Sequence, residues 1–378
     1  MPLIDKLNQA LDKREADNNL RSMSLYDPDS ELIDFYSNDY LGLARNQELF
    51  TNISQRHESI PFNGSTGSRL LSGNNQLYAQ TEEQLAVIFS GESALIFNSG
   101  YVANLAILSS VPKKGDTILY DELSHASIKD GLRLSLARHF KFRHNDLDDL
   151  EKKLRRSEGD IFILVESVYS MDGDYCPLPE LVSLAEQYKA QIILDEAHTT
   201  GLMGEQGGGL SETTQLQNHI FARIYTFGKA MGIHGACIVG DQLLKKYLIN
   251  FARPFIYTTS LPAHSIIAIE QSFKYLHQHL ELQEQLRKKV SHFNEKFEEV
   301  LSMKYQKIES KHPIQSIIIP GNEPVKAIAS KLNENGYGVL PILYPTVPKG
   351  KERLRVCLHT FNDYHDISHL IDTLASLK

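Results

Sequence analysis

The stretch YTFGKAMGIHG, residues 225–235, sets one lysine, Lys229, among small and apolar residues with no acidic side chain to pair its amine. An amine acts as a nucleophile only when neutral, and a fixed carboxylate beside it favours the charged form. Earlier in the chain the apolar run QIILD ends at Asp195, followed by Glu196, Ala197 and His198. A buried carboxylate can keep a pyridine nitrogen protonated, an imidazole can hydrogen-bond a phenolate oxygen, and an amine nearby can form an imine with an aldehyde on the same ring. Those are the demands of pyridoxal 5'-phosphate (PLP). The segment LSHAS supplies His125, a ring able to stack on the cofactor. For the phosphate, ALIFN is followed by Ser99, Gly100 and Tyr101 at the opening of a helical pattern. Backbone N–H groups at a helix start bind anions, and glycine permits close approach. Thr226, three residues before Lys229, adds a hydroxyl. Taken singly, each feature has an ordinary reading: a structural histidine, a strand-to-helix turn, a carboxylate serving as a helix cap. Their recurrence at the ends of successive apolar runs is what those readings leave unexplained.

The elements that must position these residues are legible as well. SALIFNSG, DTILYDE, DIFILVES, AQIILDEAH, HIFARIYTFG and GACIVG read as buried strands, separated by segments such as NDLDDLEKKLRR and LPELVSLAEQYKA with helical spacing. Strand and helix in alternation predict an α/β fold, a mostly parallel sheet with helices on both faces and ligands beyond the carboxyl ends of the strands. A long helical stretch from 263 to 302 breaks the alternation, and PIQSIIIPG, YGVLPILYP and RLRVCLH follow as strands. The predicted organisation is an N-terminal helix and connecting segment over 1–40, a large domain over 41–265 and a smaller α+β domain over 266–378.

Of the 378 residues, 42% are hydrophobic and 23% charged, with a formal net charge of -8, which argues against a nucleic-acid partner. Three cysteines, Cys176, Cys237 and Cys357, lie far apart without metal-ligand spacing, so neither a disulfide framework nor a metal site is expected. The first residues, MPLIDKLNQALDKREADNNLR, alternate charged and apolar types and lack the apolar core of a signal peptide. No apolar run reaches membrane-spanning length. The expectation is a cytoplasmic protein with no membrane partner. GEQGGG at 204–209 lacks the terminal Lys-Ser/Thr of a phosphate loop, and no G-x-G-x-x-G follows a first strand, which argues against a nicotinamide dehydrogenase.

Nine ordered blocks carry a resemblance that runs almost end to end: FYSNDYLGLA (35–44), GSTGSRLLSGN (64–74), FNSGYVANLAIL (97–108), LSHASIKDGLRLS (123–135), FRHND (142–146), ESVYSMDGD (166–174), LDEAHTTGLMGEQGGG (194–209), TFGKAMGIHGA (226–236) and YPTVPKGKERLRV (344–356). The chain resembles the α-oxoamine synthases, PLP-dependent enzymes of the aspartate-aminotransferase fold. The resemblance implies a mostly parallel seven-stranded sheet in the large domain and a homodimer with shared active sites. It implies that Lys229 binds the cofactor and acts as acid and base, and that Asp195 pairs the ring nitrogen. His198 and Ser170 fall near the phenolate oxygen, His125 on the ring, and Gly100, Tyr101 and Thr226 around the phosphate. Thr258 and Thr259 would complete the phosphate site of the neighbouring subunit. Arg355 would grip the amino acid's carboxylate, with Arg21, Asn38, Ser68 and Thr346 at substrate positions. By residue type alone, Arg353 and Arg355 would instead read as the exposed face of an edge strand.

Four activities share these blocks: alanine with a pimeloyl thioester, carried by CoA or acyl carrier protein; glycine with acetyl-CoA; glycine with succinyl-CoA; and serine with palmitoyl-CoA. GSTGSRLLSG, LSHASIKDGLRLS and ALDKREADNNLR are most similar to the alanine-using members. One departure is Leu343, where those members carry an arginine, so that LYPTVP is nearer to the pattern of the enzymes joining glycine to succinyl-CoA. A further class, partner subunits without catalytic function, lacks the lysine that is present here.

Overall fold

The computed structural model describes residues 2–23, 32–60 and 62–377; part of the connecting segment predicted within 1–40 lies outside them. The chain divides into two compact units. The larger comprises residues 38–170 and 175–284, the smaller residues 1–37, 171–174 and 285–378. The division at 284 falls inside the helix Glu281–Val300 rather than at 265, and the N-terminal segment groups with the C-terminal part.

In the larger unit the apolar runs form strands β1 (Ser93–Phe97), β2 (Thr117–Asp121), β3 (Arg138–Phe142), β4 (Ile161–Glu166), β5 (Gln191–Asp195), β6 (Ala222–Thr226) and β7 (Ala236–Gly240). They make one seven-stranded sheet in the order β1-β7-β6-β5-β4-β2-β3. Only β7 runs antiparallel to its neighbours, pairing with β1 on one side and β6 on the other. Side chains alternate between two cores, as a sheet covered on both faces requires. Ile118, Leu164, Ile193, Ile224 and Ile238 pack on one side, with Ile107 and Leu108 of helix α1 (Gly100–Ser110) and Ile128 of helix α2 (Ala126–Leu134). Leu119, Ile163, Val165, Ile192 and Leu194 pack on the other with Leu150, Leu178 and Leu181. Each such fully buried aliphatic side chain contributes roughly 1.5–3 kcal/mol. The last residues of β2, β4, β5 and β6 are Asp121, Glu166, Asp195 and Thr226, so four polar side chains end four adjacent parallel strands.

The predicted long helix is two helices, Ala263–Gln278 and Glu281–Val300, separated where His279 leaves helical geometry at φ -134° and ψ 48°. In the smaller unit, β8 (Gln306–Lys307), β9 (Ile314–Ile318), β10 (Leu340–Ile342) and β11 (Arg353–Cys357) form an antiparallel sheet ordered β10-β11-β9-β8. The strand β11 is therefore interior, and Arg353 and Arg355 are buried on it; the edge-strand reading is overturned. Arg353 pairs with Asp172, while Ser316 Oγ and Ser310 Oγ donate to the carbonyls of Met171 and Gly173 at 2.6 and 2.8 Å. Those bonds explain why residues 171–174 belong to this unit. Cys176, Cys237 and Cys357 are buried, and no disulfide joins them. Among the described residues no helix is long and apolar enough to cross a membrane.

Candidate active site

Beyond the carboxyl ends of β2, β4, β5 and β6 lies a cavity of about 250 Å³, lined by Asn38, Gly100, Tyr101, Asn104, His125, Glu166, Asp195, Thr226, Lys229 and His234 among others. Asp195 reaches it from the end of β5, where its carboxylate is fixed from both sides. Asn104 Nδ2 donates to Oδ2 at 2.8 Å and the Ala197 N–H to Oδ1 at 2.9 Å. Asn104 also donates to Ser127 Oγ at 3.1 Å, which lies 2.8 Å from His125 Nδ1. The Ser127 N–H approaches the same nitrogen at 3.2 Å, so His125 Nδ1 serves as an acceptor. Burial, above all, holds the His125 imidazole below its ordinary value, with Lys229 adding to the effect and Asp195 opposing it. The His125 ring is thereby favoured in its neutral form.

Lys229 Nζ lies 2.8 Å from Nε2 of the buried His198. The partner that its own segment does not offer thus comes from the turn after β5, and it is an imidazole rather than a carboxylate. His198 Nδ1 is 2.9 Å from the hydroxyl of Tyr40, which donates to Asn38 Oδ1 at 2.9 Å. A phenol has one proton. With that proton on Asn38, Nδ1 of His198 is the donor to Tyr40 and Nε2 the acceptor facing Lys229. A single direction of donation from Lys229 to Asn38 therefore fixes the tautomer of His198.

At the helix start that borders the cavity, Ser99 caps α1, its Oγ accepting the Val102 N–H at 3.3 Å. Gly100 and Tyr101 line the cavity, and the first N–H groups of a helix have no partner within it. A Cβ on Gly100 would lie 2.1 Å from Thr226 Cγ2. The glycine is what lets the helix start sit against the end of β6.

The sequence pattern of the aminotransferase class I and II family matches residues 30–373. The chain belongs to the aminotransferase class I and II family. Within this family it is similar to the 8-amino-7-oxononanoate synthase of Emericella nidulans, 36% identical over 99% of this chain and 95% of that one. A solved structure of 8-amino-7-oxononanoate synthase from Francisella tularensis superposes with a TM-score of 0.79 at 30% identity, covering 91% of this chain and 97% of that one. A structure of SPT with PLP internal aldimine superposes with a TM-score of 0.92 at 26% identity, covering 100% and 98%.

The residues fit the cofactor expected of this member of the aminotransferase class I and II family. A helix start whose glycine leaves no room for a side chain faces a carboxylate held by two donors, with an amine and an imidazole lining or adjoining the same cavity. Of the residues expected from sequence, Lys229, His125, Asp195, Gly100, Tyr101, Thr226 and Asn38 line the cavity, and His198 touches it through Lys229. Ser170 is half-buried and is not in the lining; Ser68 is likewise outside it, its carbonyl accepting the N–H groups of Leu71 and Gly73 in a turn. Thr258 and Thr259 do not line the cavity of their own chain either; the Thr259 carbonyl accepts from Asn98 Nδ2 at 2.9 Å. Arg21, Thr346 and Arg355 belong to the smaller unit. There Arg21 and Thr346 are exposed, and Arg355 is buried with Nη1 2.9 Å from Cys357 Sγ.

Site residues not singled out from sequence include Tyr40, Asn104, Ser127, Glu166 and His234. Glu166 had a signal, since it ends an apolar run as Asp195 does. Tyr40→Phe is expected to lower turnover about 10-fold and to move the pH dependence of the reaction, by freeing the His198 tautomer, while the hydrogen bonds lost to Asn38 and His198 cost about 1–3 kcal/mol of stability. Stopped assays across pH and a thermal melt check this; an unshifted pH profile contradicts it. Gly100→Ala is expected to weaken cofactor binding about 5- to 150-fold, the equivalent of the 1–3 kcal/mol usual for overpacking, measured by cofactor titration.

Proposed function

We propose that this protein is a PLP-dependent acyltransferase joining L-alanine to a pimeloyl thioester, giving 8-amino-7-oxononanoate, carbon dioxide and the free thiol carrier, a step of biotin biosynthesis. The observation that carries the reading is the convergence of Lys229, Asp195 and His125, from three separate chain segments, on one cavity that opens at a helix start. End-to-end similarity to relatives of that name supports the choice of substrates.

PLP, held by Gly100, Tyr101 and Thr226 at its phosphate and by Asp195 at its ring nitrogen, supplies an electron sink for a carbanion at the amino acid's α-carbon. Lys229 would anchor the cofactor, and its free amine would take and return the α-proton. His198 lies within reach of that amine, accepting its hydrogen through Nε2, and so holds it in one orientation. Asp195 keeps the ring nitrogen protonated because Asn104 and Ala197 hold the carboxylate in place in a buried setting. His125 covers the ring and excludes water from one side. Arg355, with Arg21, Asn38, Ser68 and Thr346, is assigned to the substrates; a guanidinium suits a carboxylate because its N–H groups form a matching fork. The reading places the protein in the cytoplasm as a homodimer in which Thr258 and Thr259 complete the neighbour's phosphate site.

A second reading, glycine with succinyl- or acetyl-CoA, draws on Leu343 and the LYPTVP segment. Mass analysis of products decides between them. Purified protein loaded with PLP is offered pimeloyl-, succinyl-, acetyl- and palmitoyl-CoA, each with alanine, glycine or serine. The expected result is 8-amino-7-oxononanoate from alanine and pimeloyl-CoA; products from the glycine pairs instead would overturn the choice of substrates and leave the chemistry standing.

A further inference from the structure

Glu166 ends β4 and Asp195 ends β5, and the two are direct register partners across adjacent parallel strands. Paired residues on parallel neighbours project to the same side of the sheet, and both line the cavity. Glu166 and Asp195 are 3% and 5% exposed, so neither carboxyl group has bulk water to separate their charges. Two buried carboxylates side by side do not both ionise; one keeps a proton.

Which one keeps it follows from the donors. Asp195 receives two hydrogen bonds, one on each oxygen, from Asn104 Nδ2 and the Ala197 N–H. Glu166 receives one, from the His125 N–H to Oε1 at 2.6 Å. Its Oε2 takes none from any described residue. We propose that Glu166 is a protonated positioning residue: its neutral carboxyl group fixes the His125 backbone through one oxygen, presents an O–H to the cavity through the other, and leaves the site a single negative charge, on Asp195.

The surroundings agree. Burial first, then the Asp195 charge, pushes the Glu166 carboxyl up to about 8; the His125 N–H and Lys229 pull it down, and Asp121 at the end of β2 pushes it up again. The buried Tyr169 phenol nearby is itself pushed up, by burial first and then by Asp121, Cys176 and Glu166. The consequence concerns Lys229. A second buried anion would draw a proton onto its amine, whereas the reaction needs that amine neutral for part of each cycle. The neutral Glu166 also offers a donor to an acceptor group of whatever occupies the cavity.

The assignment rests on the register and the donors, and only its consequence for Lys229 rests on the proposed reaction, so the test does not use turnover. Infrared spectra of the full chain, freed of cofactor and again after reloading, are recorded from pH 5 to pH 10 for the wild type, E166Q and D195N. The expected result is a protonated-carboxyl C=O stretch at pH 7 in the wild type that is missing in E166Q and titrates away on the alkaline side. In D195N, without the like charge, its midpoint falls by about one pH unit or more. Absence of the band from the wild type at pH 7, or its survival in E166Q, overturns the proposal.

Stability supplies a second readout. A carboxyl whose value is raised by folding stabilises the folded state most below its unfolded value and loses that contribution as pH rises toward the folded one. Between about pH 5 and pH 8 the folding equilibrium constant of the wild type should therefore fall about tenfold per pH unit relative to E166Q. Parallel pH profiles for the two proteins contradict the assignment. E166Q keeps the acceptor oxygen for the His125 N–H, so a merely structural role would leave the two profiles superimposed.

Discussion

Lys229→Ala is expected to lower turnover by about 10⁴-fold or more and to abolish covalent attachment of the cofactor. The two effects come from one amine. In the proposed reaction it anchors the cofactor covalently and, as acid and base, moves the α-proton, the second worth about 10²–10⁴ by itself. Functions that share one group are lost together, so the combined deficit exceeds either. The measurement is product formation under single-turnover conditions, together with intact mass after borohydride reduction. The wild type should gain the mass of one reduced cofactor on Lys229, and the variant none. The fold should be little affected, since the residues around Lys229 keep their backbone bonds, among them Gly232 N–H to the Lys229 carbonyl at 2.9 Å and Phe227 N–H to the Gly235 carbonyl at 3.0 Å. Retention of a tenth of the activity would remove Lys229 from the chemistry.

Asp195→Asn is expected to cost about 10²–10³ in kcat/KM, the equivalent of about 2.7–4 kcal/mol, as for loss of one preorganised electrostatic partner. The amide is nearly isosteric: its oxygen can still accept the Ala197 N–H, and its NH2 is matched once Asn104 turns its unpartnered Oδ1 toward it, so the site keeps its shape and loses its charge. A ring nitrogen without an anion beside it loses its proton more easily, and the carbanion it must stabilise becomes harder to form. Slow exchange of the substrate's α-hydrogen with deuterated water should report this directly, since that step precedes any acyl transfer. An unchanged exchange rate would mean that Asp195 serves structure alone.

The chemistry-bearing strand ends could be read from the sequence because the strands that carry them are buried on both faces. Ser93–Phe97 and Ile161–Glu166 are continuous apolar runs, and such runs stop where the chain meets polar surroundings. The edge strand Arg138–Phe142 escaped for the opposite reason: its first four residues are exposed, so RHFKF carries no apolar pattern. The break between Ala263–Gln278 and Glu281–Val300 has neither glycine nor proline to announce it. The excursion of residues 171–174 into the smaller unit depends on contacts to residues more than a hundred positions away, which no local window contains. Tyr40 and Asn104 act on the site by holding other site residues, Tyr40 through His198 and Asn38, Asn104 through Asp195 and Ser127. A tyrosine and an asparagine have no spacing of their own to flag, and their roles emerge once the fold supplies the partner.

The reversed strand Ala236–Gly240 has a consequence for how this protein can vary. Because Thr226 pairs with Ala236 across the ladder, residues 227–235 form a closed loop tied to the sheet at both ends. Its return depends on Gly232, at φ 67°, where a Cβ would fall 2.2 Å from the Ala44 nitrogen. A residue added or removed there would turn the side-chain alternation of one strand against the other. Directed evolution toward new substrates should therefore find its lengthened and shortened variants elsewhere, and sequence libraries selected for function should return this loop at a constant length.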